Sequence, residues 1–346
     1  MKGGGLNGLS SSSSSDCSSS SRSRSSSSRS RAPNRVSHVR CENPFVRGNS
    51  VHGCGRCLPC RINRRRLWKV RLGLEALLHS QSAFVTLTYA DENLPVAKSS
   101  KGSLATLDPV DLRNWLKRLR KAISPSSIRY YAVGEYGDES WRPHYHLALF
   151  GYPRCSTLQT TYRLRASTSE KPKCCDHCRL IHDSWGLGRV QVAELNDASA
   201  GYIAGYIEKK LTRTDDPRLD GRWPEFARMS LRPGIGAGFM PHYFQALLEH
   251  NLDGMADVPS AIRIGDKVVP LGRYLTSQLR KLNGKDGKAP PETLKAVFEE
   301  KVLPLLLAAR TSADAPSLKE QVLQKNRGAR SRLLSLNKIH RQRKHL

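Results

Sequence analysis

The sequence is short of acidic residues: 30 Asp plus Glu stand against 57 Lys plus Arg in 346 residues, for a formal net charge of +27. Few metabolic enzymes need such an imbalance, and it points to a polyanionic partner. Long apolar runs are missing as well. No span of about 18 apolar residues occurs, and the N-terminus carries serine where a secretory signal needs an apolar segment, so neither membrane insertion nor export is supported. The expected compartment is the cytoplasm. The chain lacks an internal repeat and lacks a G-x-x-x-x-G-K-[ST] phosphate loop, so no helicase of its own is expected and duplex unwinding has to come from a partner.

Apolar side chains are scarce over residues 1–40, which are nearly all Ser, Gly and Arg. Too little can be buried there to offset the entropy of ordering, so this stretch reads as a disordered basic arm. From Cys41 the pattern changes to cysteines, periodic apolar residues and strands with turn signals. Residues 41–250 are expected to form the folded domain with its Cys-rich segments, and 251–346 a basic helical C-terminal region. In the latter, a helical stretch over Pro291 to Arg310 is interrupted by Pro304, and a tail carries Lys325, Arg327, Arg330, Arg332, Arg341, Arg343 and Lys344. No chemistry is read from that region.

Leu67, Val70, Leu74, Leu77 and Leu78 recur at helical spacing, and Leu112, Trp115, Leu116, Leu119 and Ile123 do so again behind Asp108-Pro109, an N-cap and first turn. The second helix carries Arg113, Lys117, Arg118, Arg120 and Lys121 elsewhere on its surface, read first as a solvated face and only secondarily as a DNA-facing one. Four runs rich in Val, Thr, Tyr and Phe read as strands: Phe84 to Tyr89, Arg129 to Glu135, His144 to Phe150 and Arg189 to Glu194. Strands mixed with long helices predict an α+β domain in which helices cover one face of an antiparallel sheet and leave the other for substrate.

The chemistry concentrates in Y-Y-A-V-G-E-Y-G-D-E-S-W-R-P-H-Y-H-L-A-L-F-G, from Tyr130 to Gly151. Residues two apart in a strand share a face, so His144 and His146 project together while Tyr145, Leu147 and Leu149 point into the apolar side. A hairpin through Gly137 to Pro143 brings Glu135 back beside His144 as a third ligand. Two imidazoles and one carboxylate leave open positions on a divalent ion, which a metal needs in order to polarise a phosphate. Taken alone, the pair reads equally well as two surface histidines.

Downstream, G-Y-I-A-G-Y-I-E-K-K-L from Gly201 to Leu211 reads as a helix with its N-cap at Asp197 or Ser199. Tyr202 and Tyr206 are four apart on one face, with Lys209 three further along. A phenol can attack phosphorus covalently, but at a reference pKa of about 10 only about one in a thousand is ionised at neutral pH. A metal ion and Lys209 would supply the missing electrostatic help. Without the histidines, Tyr202, Ile203, Tyr206 and Ile207 would read as an ordinary buried helix face.

In this order and context the segments resemble the motifs of HUH endonucleases, specifically the rolling-circle replication initiators of microviruses, over roughly Cys41 to Leu211. F-V-T-L-T-Y at Phe84 to Tyr89 is similar to the first motif and P-H-Y-H at Pro143 to His146 to the metal motif. Tyr202 and Tyr206 ahead of Lys209 and Lys210 resemble the two-tyrosine form. The resemblance implies a five-stranded antiparallel palm with Mg²⁺ or Mn²⁺ at Glu135, His144 and His146. It also implies a site- and strand-specific DNA endonuclease with strand-transfer activity, in which a tyrosine nicks the origin and leaves a 5′-phosphotyrosine. The second tyrosine then permits termination and ligation. Tyr206 is favoured as first nucleophile because Y-x-x-K is the commoner pattern. Single-stranded origin DNA, a host helicase and the host bacterial cytoplasm follow as partners and setting.

Nine cysteines in a cytosolic chain favour metal ligation over disulfides. Cys54, Cys57 and Cys60 with Cys41 could close a tetrahedral structural zinc site, with a reactive thiol or an iron–sulfur cluster left open. The following R-I-N-R-R-R offers Arg61, Arg64, Arg65 and Arg66 at a basic helix start, which reads as DNA-binding cations or as solvated charge alone, and Lys210 lies further on as another DNA-binding candidate. Cys155, Cys174, Cys175, His177, Cys178 and His182 form a second group with more donors than one ion needs. A different class of answer is a non-catalytic zinc-binding nucleic-acid protein, which leaves the histidines and tyrosines unexplained. A histidine-triad hydrolase fits poorly, because Ala148 stands where its nucleophilic histidine belongs. Relaxases usually place the tyrosine before the histidines.

Overall fold

The computed structural model describes residues 41–47, 50–100, 102–157, 174–206, 214–310 and 316–342. The Ser/Arg-rich arm expected over residues 1–40 lies outside them, as do Arg343 and Lys344. In chain order the first half runs β1 (Phe45–Arg47), β2 (Ser50–His52), α1 (Leu58–Ala76), β3 (Ser82–Tyr89), β4 (Val96–Ser99), β5 (Gly102–Ala105), α2 (Pro109–Ala122), β6 (Arg129–Tyr136) and β7 (Pro143–Phe150). Then follow α3 (Asp176–Trp185), β8 (Gly188–Glu194), α4 (Asp197–Gly205), β9 (Phe226–Met229), α5 (Met240–Glu249), β10 (Ala261–Ile264) and β11 (Lys267–Pro270). The C-terminal helices are α6 (Gly272–Leu282), α7 (Pro291–Lys301), α8 (Leu303–Arg310), α9 (Leu318–Lys325) and α10 (Arg327–Gln342).

The expected α+β architecture with a five-stranded antiparallel sheet is present, in the strand order β8-β3-β7-β6-β9. Alternation sets its two faces. On one side Ala83, Val85, Leu87 and Tyr89 of β3 and Tyr145, Leu147 and Leu149 of β7 pack against Leu112, Trp115, Leu116 and Leu119 of α2 and Ile181 and Trp185 of α3. The helix α2 begins as its sequence predicts: Asp108 caps it, accepting from the Val110 amide at 2.7 Å, and Pro109 occupies the first turn. Gly188 opens β8 at φ 153°, where an added Cβ would stand 2.3 Å from the Thr88 carbonyl oxygen, so the strand can approach β3 only without a side chain.

The second face is not left bare, because it is also apolar along half its length. Tyr131, Val133, Ala148 and Phe150 there pack with Leu72 of α1, Ala200, Ile203 and Ala204 of α4, and Ile235. Helices therefore flank both faces, and the polar residues of β6 and β7 lie toward the opposite end of those strands. α1 ends one residue before Leu77, which is 66% exposed instead of joining the apolar face expected for it. A third cluster joins Leu74, Met240 and Leu247 to Val258, Ile262, Leu275 and Leu279, so residues on either side of position 250 share one core. As expected, the helical stretch after Pro291 is broken near Pro304, between α7 and α8.

Candidate active site and metal centres

Strand register assembles the site. Glu135 on β6 pairs directly with His144 on β7, and His146 pairs with Val133 on one side and Thr86 of β3 on the other. Directly paired residues share a face, so Glu135, His144 and His146 converge, with one donor atom from each within 4.8 Å of the others. Glu135 Oε1 lies 2.7 Å from His144 Nε2 and 3.1 Å from His146 Nε2. The Arg142 carbonyl sits 3.0 Å from His144 Nδ1, and a carbonyl can only accept, so Nδ1 carries a proton and Nε2 faces the carboxylate. A neutral ring would then turn its lone pair on a carboxylate oxygen. A cation between them relieves that conflict, so the donor set fits a divalent ion. Glu135 and His146 are almost fully buried. Burial pushes the Glu135 carboxyl up, but the hydrogen bonds and charges of His144 and His146 outweigh it and hold the group well below the usual carboxylate range.

The tyrosine helix faces this trio. Its N-cap is Asn196, not Asp197 or Ser199: the Asn196 side chain accepts from the amides of Ala198 and Ser199, and the Ser199 hydroxyl closes a capping box. An asparagine reaches the orphan amides as well as an aspartate does, and the cap lies one residue earlier than the apolar pattern suggested. Ile203 is fully buried in the second core, whereas Tyr202 is 40% exposed, so the isoleucine and the tyrosine serve different surfaces. The Tyr206 ring stacks on His146 with centroids 5.2 Å apart and planes at 9°, and Tyr202 meets the same imidazole edge-on at 5.3 Å. The two phenol rings are 4.9 Å apart. The Tyr206 hydroxyl is pushed above the ordinary tyrosine value, first by burial and then by the Glu135 carboxylate and Tyr202, with which it hydrogen-bonds.

Residues 82–211 match the sequence model of the replication-associated protein ORF2 family. The matched stretch is 130 of the chain's 346 residues. It contains Glu135, both histidines and both tyrosines. The chain is 28% identical over 202 residues to replication-associated protein VP4 of Bdellovibrio phage phiMH2K, covering 56% of this chain and 58% of that protein. It is 34% identical over 187 residues to replication-associated protein ORF2 of Spiroplasma virus 4, covering 53% and 55%. With replication-associated protein ORF4 of Chlamydia phage 1 the identity is 27% over 247 residues, covering 70% and 57%. The chain thus spans little more than half the length of these curated relatives. The resemblance to replication proteins of small phages, seen in the motifs, is met by these relatives. No solved structure matches the chain significantly.

Within the matched stretch, supporting positions are taken by Phe84 and Thr86 of the F-V-T-L-T-Y segment and by Arg142, with contacts the sequence did not specify. The Thr86 hydroxyl lies 2.9 Å from His146 Nδ1, the Phe84 ring stacks on the same imidazole at 5.6 Å, and Arg142 bridges Asp91 and the Tyr89 carbonyl. Thr86 and Phe84 alternate with the core residues of β3, which was a readable signal, but their contact with His146 needs the strand register. The basic side of α1 lies along α4: Lys69 pairs with Asp197 at 2.6 Å, and the Arg65 guanidinium comes within 3.6 Å of where a Cβ on Gly205 would stand. Of the expected DNA-binding cations, Arg65 is therefore beside the tyrosine helix. Arg64 reaches the Gly55 carbonyl in the first cysteine loop at 3.3 Å. Lys209 and Lys210 lie outside the described residues.

Eight cysteines gather as two four-thiol groups, Cys41, Cys54, Cys57, Cys60 and Cys155, Cys174, Cys175, Cys178. A tetrahedron with metal–sulfur bonds of about 2.3 Å has sulfur–sulfur edges of about 3.8 Å. Cys41 and Cys57 are 3.7 Å apart, Cys175 and Cys178 3.6 Å, and Cys155 and Cys174 3.3 Å, too long for disulfides and close to that edge. Amides of Cys54, Asn43, Glu42, Arg56 and Cys57 point at sulfurs of the first group. Burial opposes ionisation of Cys54, but the Cys57 and Arg56 amides and the Cys41 thiol bring it down to about 6; amides of Ser156 and Cys178 do the same for Cys175, also against burial. His177 and His182 fall outside the second group. Each group ends in a helix start, at Cys57 before α1 and Cys175 before α3.

Proposed function

We propose that this chain is a site- and strand-specific, metal-dependent DNA endonuclease that nicks single-stranded origin DNA through a tyrosine and rejoins it during rolling-circle replication. The observation that carries the reading is the stacking of Tyr206, and the edge contact of Tyr202, on an imidazole that is itself paired with Glu135. A helix tyrosine needs no such neighbour to be part of a core. Two phenols beside a dihistidine–carboxylate site have the parts for phosphoryl transfer: nucleophiles, and a place for positive charge on the phosphate oxygens.

Glu135, His144 and His146 would hold Mg²⁺ or Mn²⁺, which supplies charge that polarises a phosphate. In the first step a phenol oxygen bonds to phosphorus while the bond to the 3′-oxygen breaks, leaving a 5′-phosphotyrosine and a free 3′-hydroxyl. In the second, the other phenol attacks the regenerated origin, and the released 3′-hydroxyl displaces the first tyrosine. Each transfer makes one phosphate ester and breaks one, so no external energy source is required. We assign the first attack to Tyr206, whose phenol reaches Glu135, and the second to Tyr202. Burial keeps Tyr206 protonated before DNA arrives. Lys209 is assigned to the scissile phosphate, where it offsets charge developing on the oxygens, Arg61, Arg64, Arg65, Arg66 and Lys210 to the DNA backbone, and the two cysteine groups to structural Zn²⁺ that anchors the starts of α1 and α3. Acting in host bacterial cytoplasm, such a protein would depend on a host helicase for duplex unwinding.

The test is a denaturing gel of protein incubated with single-stranded origin DNA and Mn²⁺. Wild type should form a covalent adduct, and Tyr206→Phe should lower first-step adduct, as expected for loss of a nucleophile. The Tyr202→Phe, Tyr206→Phe double variant and His144→Ala should form none. Cleavage that persists in the double variant would rule out the covalent mechanism. Binding without cleavage on a verified origin would favour a non-catalytic zinc-binding nucleic-acid protein.

A further inference from the structure

A second basic feature lies away from the site, on the sheet face that carries α2. There a groove of about 400 Å³ runs between α2 and the edge strand β9. Its floor is apolar, formed by Val110, Leu112 and Leu116 of α2 and the ring of Tyr130. Arg113, Lys117 and Arg120, spaced four and three residues apart on one side of α2, line it together with Arg228 of β9. Arg228 pairs with Ala132, so its side chain shares the face of Tyr130 and not that of Glu135. Arg120 stands over the Tyr130 ring at 5.3 Å. All four cations are exposed, and among the described residues none forms an ion pair.

Four cations around an apolar floor with one aromatic ring form a specific combination. A solvated helix face needs neither the floor nor the ring, and an apolar protein partner would not be met by four positive charges. Alternating phosphates and flat bases match both parts, since cations follow the backbone while a base lies against the aromatic ring or a guanidinium plane. We propose that this groove is a second binding track for single-stranded DNA, separate from the site that cuts it, holding flanking or displaced strand on the far face of the sheet. It rests on the nuclease reading only in taking single-stranded DNA as the ligand.

The experiment measures binding directly in the Tyr202→Phe, Tyr206→Phe background, where cutting plays no part. Oligothymidylate and a duplex of equal length are titrated over a salt series. Neutralising Arg113, Lys117, Arg120 and Arg228 to Gln should flatten the plot of log affinity against log salt by about 3, four contacts at about 0.7 each. Tyr130→Leu keeps an apolar floor and removes the ring. It should weaken oligothymidylate binding about tenfold and leave duplex binding unchanged. With the tyrosines restored, the Gln variant should still cut a short origin oligonucleotide at the wild-type rate, and its circular dichroism should match wild type whether or not cutting occurs. An unchanged affinity and salt slope in the Gln variant would overturn the proposal. So would equal loss of single strand and duplex in Tyr130→Leu, or polyglutamate binding with the same dependence on Tyr130, which would assign the groove to an acidic protein segment.

Discussion

Replacing Thr86 by valine keeps the β-branched shape and strand preference of the residue and removes a single hydroxyl, the one 2.9 Å from His146 Nδ1. His146 is 6% exposed, so water cannot readily stand in for that hydroxyl. Removing one partner of a buried polar group costs about 1–3 kcal/mol. Loss of the group that orients a metal-binding histidine typically lowers metal affinity about 10–100-fold, or about 1.4–2.7 kcal/mol. The expected outcome for Thr86→Val is therefore Mn²⁺ binding weaker by that factor in isothermal titration, with a matching fall in origin nicking at limiting metal and recovery at high metal. Thr88→Val is the control. Thr88 sits two residues along the same strand opposite His144, but the His144 Nδ1 is already engaged by the Arg142 carbonyl, so this variant should behave as wild type. Equal Mn²⁺ affinity for Thr86→Val and wild type would refute the assignment of the hydroxyl as the group that orients His146.

Two further outcomes follow from the same geometry. Glu135 has a folded-state value below the usual carboxylate range, so its contribution to stability is complete above its unfolded value of about 4.3 and is lost as pH falls through the folded one. In metal-free protein the stability gap between wild type and Glu135→Gln should narrow as pH falls below about 4.3 in urea melts, and a gap that widens on acidification would contradict the pairing. Elemental analysis should find two zinc equivalents per chain, falling to one in Cys57→Ser or in Cys178→Ser; an unchanged metal content in either variant would remove that cysteine group from the zinc assignment.

Local rules carried the sequence reading a long way. The alternation around His144 and His146 was enough to place them on one face, because a strand has a period of two and nothing distant can change it. Asp108-Pro109 announced α2 and its four core residues for the same kind of reason, since capping and helical spacing are settled within two turns. The tyrosine helix was legible too, although its cap was assigned one or more residues late, because Asn196, Asp197 and Ser199 are all competent caps and only the backbone conformation selects among them.

Three features depended on contacts between residues distant in sequence. Thr86 reaches His146 across 60 positions, and that contact exists because β3 pairs with β7 in one register; a slip of one residue would turn the hydroxyl to the core. The sequence suggested an open second face, whereas α1 and α4 settle on its apolar half and bring Tyr202 and Tyr206 against His146, a docking decided by Leu72, Ala200, Ile203 and Ala204. The choice of four cysteines from six candidate donors in the second group likewise depended on where the chain returns to the sheet. By itself the sequence determined which residues could do chemistry and on which side of each element they sit, because those are short-range properties of the backbone. Which of them meet was decided only by the tertiary structure, because strand register and helix docking are set by the burial of apolar surface drawn from the whole chain.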